Sequence, residues 1–506
     1  MIHAGQWDAI CVGAGITSLA FGAQLVRKHP RTRILVIDKH SVPGGYATVF
    51  HRPKAPGVFD CSLHKLSGIG ASGNLQRIFS NLGLSEELSL KIPDDYFEAT
   101  LPDGHVRLGN RPDVVKGILI ERFPEEAQAL YAFFEEVEIH GRNGYYQFQV
   151  LDGSYEPDFS QLRYAHRHLK SISVSEALSA RFKNGFLKEI IAATGIYVGG
   201  YPEDLGYLYF LHVVYATLYI GNAYVEGQSQ RLSDILAERI VQAGGEVLLG
   251  TTVKKILYDE ANQVVGVKTS KGSFHSNKVY INAAPHYAIE TLFESTPEIH
   301  AVGAKLQAMK PSRSTTTIYV TTDLPPEQLG LTSTETMIFG EPQDVGVTWR
   351  NAAAGAPRDE ALSEHAYWHC SPMEITNYHL LEPSGGNVIC LNILDSMLHW
   401  PERKTAAYKF KKCRAADLML QRLYAAKPGL EGHVKYVEVS TPRTYQRFTN
   451  NTAGAGYGAM VGTDLSSHLF HRNFPVKGVH FLSAWVAGPS YEAAFGYAEM
   501  KANQWA

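Results

Sequence analysis

Apolar residues near the start of the chain fall into short blocks separated by glycine-rich breaks. Asp8–Val12 predicts a strand, followed by a glycine-rich turn, an apolar helix to about Lys28 and a second strand at Arg33–Asp38. Helical spacing of apolar positions covers Arg231–Ala243, and Gly244-Gly245 stops that helix. Short strands are predicted near Glu246–Leu249, Val253–Tyr258, Val264–Thr269 and Lys278–Ile281. A later region alternates strand-like runs, Thr315–Thr321 and Asn387–Ile393, with a helix near Lys404–Tyr424. The chain then returns to a strand at Val479–Ala484 and a helix from about Ser490. This interleaving predicts a mixed α/β fold of two domains, each assembled from separate segments.

One run stands apart. Leu205–Gly221 carries no charged residue, yet it contains His212 and several tyrosines, with Glu203 and Asp204 just before it. Its length is at the short limit for a bilayer span, and its polar ring groups would be poorly satisfied in lipid. It reads as a buried helix or pocket wall.

Composition narrows the function classes. The 506 residues give a soft prior of about three domains. Lys and Arg total 47 against 50 Asp and Glu, so charge offers no reason to expect a nucleic-acid partner. The five cysteines are scattered and form no C-x-x-C pair, which argues against a disulfide scaffold, a thiol-redox enzyme and a zinc ribbon. The first residues lack the pattern of a signal peptide, so the cytoplasm is the default compartment.

The strongest chemical signal lies in DAICVGAGITSLAFGAQLVRKHPRTRILVIDK. Gly13-x-Gly15-x-x-Ser18 follows a strand and opens a helix, and Asp38 ends the next strand. Gly13 permits the tight turn, Gly15 allows close backbone approach to a pyrophosphate, and the helix N-terminus presents free N–H groups. Asp38 is placed to accept hydrogen bonds from a ribose, and Ser18 is small enough for helix–strand packing. A second match, Gly68-x-Gly70-x-x-Gly73, lacks a strong preceding strand and a following acid-ended strand, and reads as a decoy.

Beyond Asp38 the sequence continues KHSVPGGYATVFHRPKAPGVFDCSLHKLSG. This segment resembles the flavin amine oxidase and phytoene desaturase superfamily, and most closely its carotenoid isomerase and retinol saturase branch. YIGNAYVEGQSQRLSDILAERIVQAGGEVLLG, STPRTYQRFTNNTAGAGYGAM and GVHFLSAWVAGPSYEAAFGYAEM resemble the central, late and C-terminal segments of that branch. The resemblance implies a Rossmann-like FAD-binding domain of residues 1–75, 225–300 and 475–506. It implies an interleaved sheet-plus-helix substrate domain of 76–224 and 301–474. By position, Gly13, Gly15, Thr17 and Ser18 would surround the FAD pyrophosphate, Asp38 the ribose and Lys39 the adenine side. Gly44, Gly45, Tyr46 and Ala47 would wrap the ribityl and flavin edge, and the Val253 backbone would contact adenine. His64 would lie near the isoalloxazine. Two places depart from the pattern: Gly227-Gln228 replaces a Gly-Gly pair, and Ser483-Ala484, then Trp485, replaces a glycine followed by an acid. Backbone N–H groups near Ala493 and Ala494, at a helix start, would compensate at the pyrophosphate.

Catalytic candidates are His64, His212 and Arg447. His64 reads as an acid/base or flavin neighbour, or equally as a core histidine. Arg447 reads as an anchor for a substrate carboxylate or the flavin, with a surface ion pair as the alternative. Tyr197, Tyr201, Tyr207, Tyr209, Tyr215, Tyr219 and Tyr224, with His212 among them, suit the wall of a tunnel for a long unsaturated ligand or the packing of a cap domain. His365 and His369 beside Cys370 sit in a run that reads as a strand, so no metal site is expected. The resulting expectation is an FAD enzyme that desaturates, saturates or isomerises an apolar substrate. Peripheral membrane contact would accompany such a substrate. Amine oxidation and a flavin-free scaffold of the same fold are the alternatives.

Overall fold

The computed structural model describes residues 6–62, 64–340, 368–369, 371–463 and 470–505. Its nucleotide side is a five-stranded parallel sheet in the order Glu246–Leu248, Ile34–Ile37, Ala9–Val12, Val279–Ile281, Val479–Phe481. Three distant stretches of chain therefore build one sheet. All residues of Ala9–Val12 and Ile34–Ile37 are buried, as expected for strands covered on both faces. Helices Ile16–Lys28, Gln228–Gln242 and Tyr491–Asn503 cover one face. A three-stranded antiparallel sheet, Val253–Tyr258, Val264–Thr269 and Gly272–His275, packs with helix Pro285–Leu292 on the other.

The second layer is a seven-stranded sheet ordered Val434–Ser440, Ser314–Thr322, Val388–Asp395, Met373–Asn377, Glu335–Ile338, Asp95–Leu101, Gly104–Gly109. Its pairs are antiparallel except Glu335–Ile338 with Asp95–Leu101, which run parallel. Helices between residues 112 and 220 pack on this sheet and share its apolar core. The mixed α/β class with a Rossmann-like sheet agrees with the sequence pattern.

The uncharged run forms helix Tyr207–Val214 and continues as a π-helical turn, Tyr215–Ile220. Among the described residues no helix is long and apolar enough to cross a membrane. The strand expected over Val479–Ala484 stops at Phe481, because Ser483 starts a helical turn, Ala484–Ala487. His365 and Cys370 lie outside the described residues; Trp368 and His369, within them, are helical rather than extended. Among the described residues no group of His, Cys, Asp or Glu is arranged to hold a metal ion.

Candidate active site

A cavity of about 670 Å³ lies between the C-terminal ends of the parallel strands and the larger sheet. Gly13, Gly15, Thr17, Asp38, Lys39, Gly44, Gly45, Tyr46, Val253, Ala484 and Trp485 line it, together with Arg447. Further lining residues include Arg52, Cys61, Tyr319, Glu438, Tyr445 and Asn451.

The local geometry follows from the sequence. Gly15 caps helix Ile16–Lys28 with no side-chain acceptor, so the first-turn N–H groups are left for another partner. A Cβ on Gly15 would stand 2.7 Å from Asn282 Nδ2, so a side chain here would have to displace that amide. Asp38 accepts from Ala14 N at 2.7 Å and His40 N at 2.8 Å, one bond on each oxygen. Each oxygen keeps lone-pair capacity for a hydroxyl donor. The Gly44–Gly45 turn is joined to this loop by a bond from Gly44 N to Ala14 O at 2.7 Å. Ser483 Oγ is buried without a partner on the cavity wall, beside Ala484. An uncapped helix start, an open carboxylate and an orphaned hydroxyl in one cavity fit a dinucleotide such as FAD. Burial lowers the Lys39 ammonium pKa below its usual value, with Asp38 opposing.

Not every candidate reaches the cavity. Ser18 is fully buried under the helix, and Ala47 sits behind its turn, its carbonyl accepting from Ser233 Oγ at 2.7 Å. Ala493 and Ala494 are corrections: their N–H groups donate to Ser490 Oγ at 3.0 Å and Ser490 O at 3.1 Å. The cap consumes the donors that were expected to face an anion. Arg447 lies exposed at the cavity edge, its guanidinium over the Phe448 ring.

His64 and His212 do not line the cavity either. His64 Nε2 faces Asn392 Nδ2 at 3.2 Å, while Asn392 Oδ1 accepts from Thr317 at 2.6 Å. That amide orientation puts the ring proton on Nδ1, against Thr376 Oγ1 at 2.7 Å. Burial lowers the His64 pKa to about 4, so the ring is neutral near pH 7. His212 packs edge-on to Tyr145 and Tyr209 in the helical layer, and burial lowers its pKa to about 4 as well.

None of the tyrosines of the run lines the cavity, and structural partners occupy several of their hydroxyls. Tyr201 donates to Leu394 O at 2.8 Å, Tyr207 to Glu136 at 2.6 Å and Tyr219 to Phe134 O at 3.0 Å. Tyr224 donates to Asp60 at 3.2 Å. Asp60, from the F-D-x segment, is itself buried and accepts from Ser229 N at 2.9 Å, at the start of helix Gln228–Gln242. For Tyr201, Tyr207, Tyr219 and Tyr224 these bonds tie the ring to the surrounding structure.

The second glycine motif has a packing role. A Cβ on Gly70 would meet Ile220 O at 2.0 Å, and one on Gly68 would meet the Glu492 carboxyl at 2.3 Å. Close approach, not phosphate binding, accounts for these glycines. Sequence reasoning missed Asn451, which joins two expected residues: it accepts from Trp485 Nε1 at 3.0 Å and donates to Tyr46 OH at 3.3 Å. Its place in NNTAGAG, between glycine-rich turns, was the available signal. Cys61 lines the cavity, but burial pushes its thiol pKa up to about 12, so it offers no thiolate.

A profile of the NAD(P)-binding Rossmann-like domain matches residues 11–82. The chain is 24% identical over 473 residues to the chloroplastic prolycopene isomerase of Arabidopsis thaliana, covering 90% of this chain and 74% of that protein. It is 24% identical over 479 residues to the all-trans-retinol 13,14-reductase of Rattus norvegicus, covering 89% and 77%. Among solved structures, cyclohexylamine oxidase from Brevibacterium oxydans superposes with a TM-score of 0.63 at 18% identity over 99% of this chain and 98% of that one. An oxidoreductase from Methanosarcina mazei gives 0.63 at 14% identity over 98% and 100%. These likenesses establish a shared fold along the whole chain.

Proposed function

We propose that this chain is an FAD-dependent oxidoreductase or isomerase of the phytoene desaturase-like type, acting on a C=C or C–C bond of an apolar unsaturated molecule. The observation that carries the reading is the single cavity that joins an uncapped helix start and Asp38 to the aromatic surface of Tyr46, Tyr319 and Tyr445. The relatives that match nine tenths of the chain are named for isomerising prolycopene and reducing retinol, which supports a polyene, isoprenoid or other lipid as substrate.

Bound FAD would supply the redox chemistry. Gly13, Gly15 and Thr17 would hold its pyrophosphate through backbone N–H groups, and Asp38 would accept from the ribose. Lys39 and the Val253 backbone would flank the adenine, while Gly44, Gly45 and Tyr46 would meet the ribityl and flavin edge. Ser483 Oγ, buried without a partner one residue before the place where an acid stands in the resembling family, would supply a hydrogen bond to the bound group, with Ala484 and Trp485 beside it. The buried ring of Trp485 and the sheet behind it keep water from that end. Exposed rings of Tyr131, Phe159 and Tyr164 suit peripheral contact with the lipid in which such substrates dissolve.

Amine oxidation is the competing reading; the excess of Lys39, Arg52, Arg403, Lys412 and Arg447 over Asp38 and Glu438 on the cavity wall suits the FAD diphosphate and does not choose between the two substrates. The test is the visible spectrum of the purified protein, followed by aerobic and anaerobic titration with carotenoids, retinoids and small amines. Flavin bands perturbed by long unsaturated molecules and indifferent to amines are expected. Rapid bleaching by a simple amine, with the polyenes silent, would reverse the assignment; a spectrum without flavin bands would refute it.

A further inference from the structure

The cations on the cavity wall fall into two groups. Lys39 and Arg447 belong to the Asp38 end, where His40 Nε2 donates to Phe448 O at 2.7 Å and so ties the Arg447 segment to that loop. Arg52, Arg403 and Lys412 lie on other elements. Strand Val49–Arg52 follows the Gly44–Tyr46 turn and spans about 10 Å before it ends at Arg52. Arg52 donates to Glu438 Oε2 at 2.9 Å, and Lys412 is near enough to Glu438 to interact with its charge. Helix Ala406–Ala426 supplies Tyr408 and Lys412, four residues apart on one face, and Arg403 shortly precedes its N-cap Thr405.

Arg403 and Lys412 are half-buried, and among the described residues neither side chain has a hydrogen bond or an ion pair. The acids nearby are engaged. Glu402 pairs with Arg443 at 2.9 Å, and Glu438 Oε2 accepts from both Arg52 and Tyr436, each at 2.9 Å. Three cations and one carboxylate leave this part of the wall with an excess of two positive charges. Beside it lies an apolar pair: the Phe50 ring meets Tyr319 edge-on at 5.0 Å, and the Arg52 guanidinium sits 4.5 Å over Phe50. A half-buried cation without a counter-charge carries a desolvation cost that a bound anion offsets.

We infer that Arg403 and Lys412 form a second anion site, which binds the carboxylate or phosphate head group of a long unsaturated substrate whose chain runs over Phe50 and Tyr319. This names the substrate class of the oxidoreductase proposed above and rests on that reading. The diphosphate of FAD has its own donors in the uncapped helix start at Gly15. Arg403 offers a planar fork of N–H groups and Lys412 a compact charge, and both suit carboxylate or phosphate oxygens. Arg52 and Tyr436 hold Glu438, which leaves Lys412 to the ligand. A pure hydrocarbon gives these cations nothing to bind, so the head group, and not chain length alone, selects the substrate.

The experiment is a binding titration of the full-length protein, read by the fluorescence of Trp485 on the cavity wall and by the visible spectrum of bound flavin. The probes are linoleate, linoleyl phosphate, linoleyl alcohol and methyl linoleate. Both anions should bind about 10-fold or more tightly than the alcohol and the ester, and the tighter of the two identifies the head group. In Arg403→Gln and in Lys412→Gln, anion affinity should fall about 10-fold, while ester affinity and melting temperature stay as in the parent. Lys412→Arg should keep the preference. Equal binding of all four probes by the parent, or variants that weaken all four together, would overturn the site. FAD affinity of the apoprotein is measured in the same variants. A fall of about 10-fold there, with the preference for anions intact, would assign both cations to the diphosphate and also overturn it. A protein that selects anions through Arg403 and Lys412 but shows no flavin bands would uphold the site and count against the oxidoreductase reading.

Discussion

The nucleotide cavity and the tyrosine-rich helix Tyr207–Val214 are built from opposite uses of polar atoms. Around the cavity, donors and acceptors are left open: the helix start at Gly15 is uncapped, and Ser483 Oγ has no partner. In the helix the Tyr207 hydroxyl is closed off by its bond to Glu136, which also pairs with Arg181. Chemical promise in a side chain therefore says little until its partners are counted. Seven tyrosines and a histidine in one region suited a binding wall or core packing alike, and the open valences of the cavity lie elsewhere.

The sharpest way to break this contrast is a charge in the helix. Val213→Asp places a carboxylate where the native side chain is 6% exposed, and should cost about 4 kcal/mol or more of stability. A thermal melt checks it. A near-normal melting temperature would mean the region is a wettable wall after all.

Acid should separate the regions next. His212 has a folded pKa of about 4, below the usual value of about 6.5. The unfolded chain then binds the proton more readily, so stability is full above about pH 6.5 and is lost as pH falls toward 4. Denaturant melts of His212→Phe across that window should show a slope reduced by up to about one proton. His64, also near 4, contributes in the same direction and remains in that variant.

Asp38→Ala tests the open side. Losing a charged acceptor should weaken FAD binding by about 1.5–3 kcal/mol, roughly 10- to 150-fold. Fluorescence titration of the apoprotein measures it, and unchanged affinity would remove Asp38 from the site.

The smallest effect concerns Gln228, which adopts φ 67°, a left-handed conformation that disfavours a side chain. Gln228→Gly should stabilise the protein by about 1 kcal/mol or less, after the loss of its weak contact to Val58 O at 3.4 Å. Paired denaturant curves suffice. This departure from the Gly-Gly pattern is a local strain, distant from the chemistry of Asp38.

What was legible in the sequence follows the range of the forces involved. The first turn and Asp38 were readable because a tight turn and an anion-binding helix start impose their demands within a few residues. Strands Ala9–Val12 and Ile34–Ile37 appeared within a residue or two of expectation for the same reason. The strands Glu335–Ile338 and Met373–Asn377 went unread, since their buried Glu335 and Glu374 interrupt the apolar pattern and find their partners, Lys65 and Tyr197 for Glu335 and Asn392 for Glu374, on other elements. Ala493 and Ala494 were misplaced because a helix start looks the same in sequence whether or not a preceding serine folds back to cap it. His64 lay in a readable segment, but its tautomer depends on Asn392, across the fold.

The order of strands in the parallel sheet has a consequence for how the molecule is made. Val279–Ile281 must sit between Ala9–Val12 and Val479–Phe481, and so waits for a partner nearly two hundred residues further on. During synthesis, the first βαβ unit and its apolar helix leave the ribosome long before the sheet can be completed. The open flank of Val279–Ile281 is a hydrogen-bonding edge with no strand to meet it until the last segment emerges. Such long-range closure slows folding and prolongs exposure of sticky intermediates. Yield of active protein should therefore respond to expression temperature and to chaperone supply, even where the finished molecule is stable.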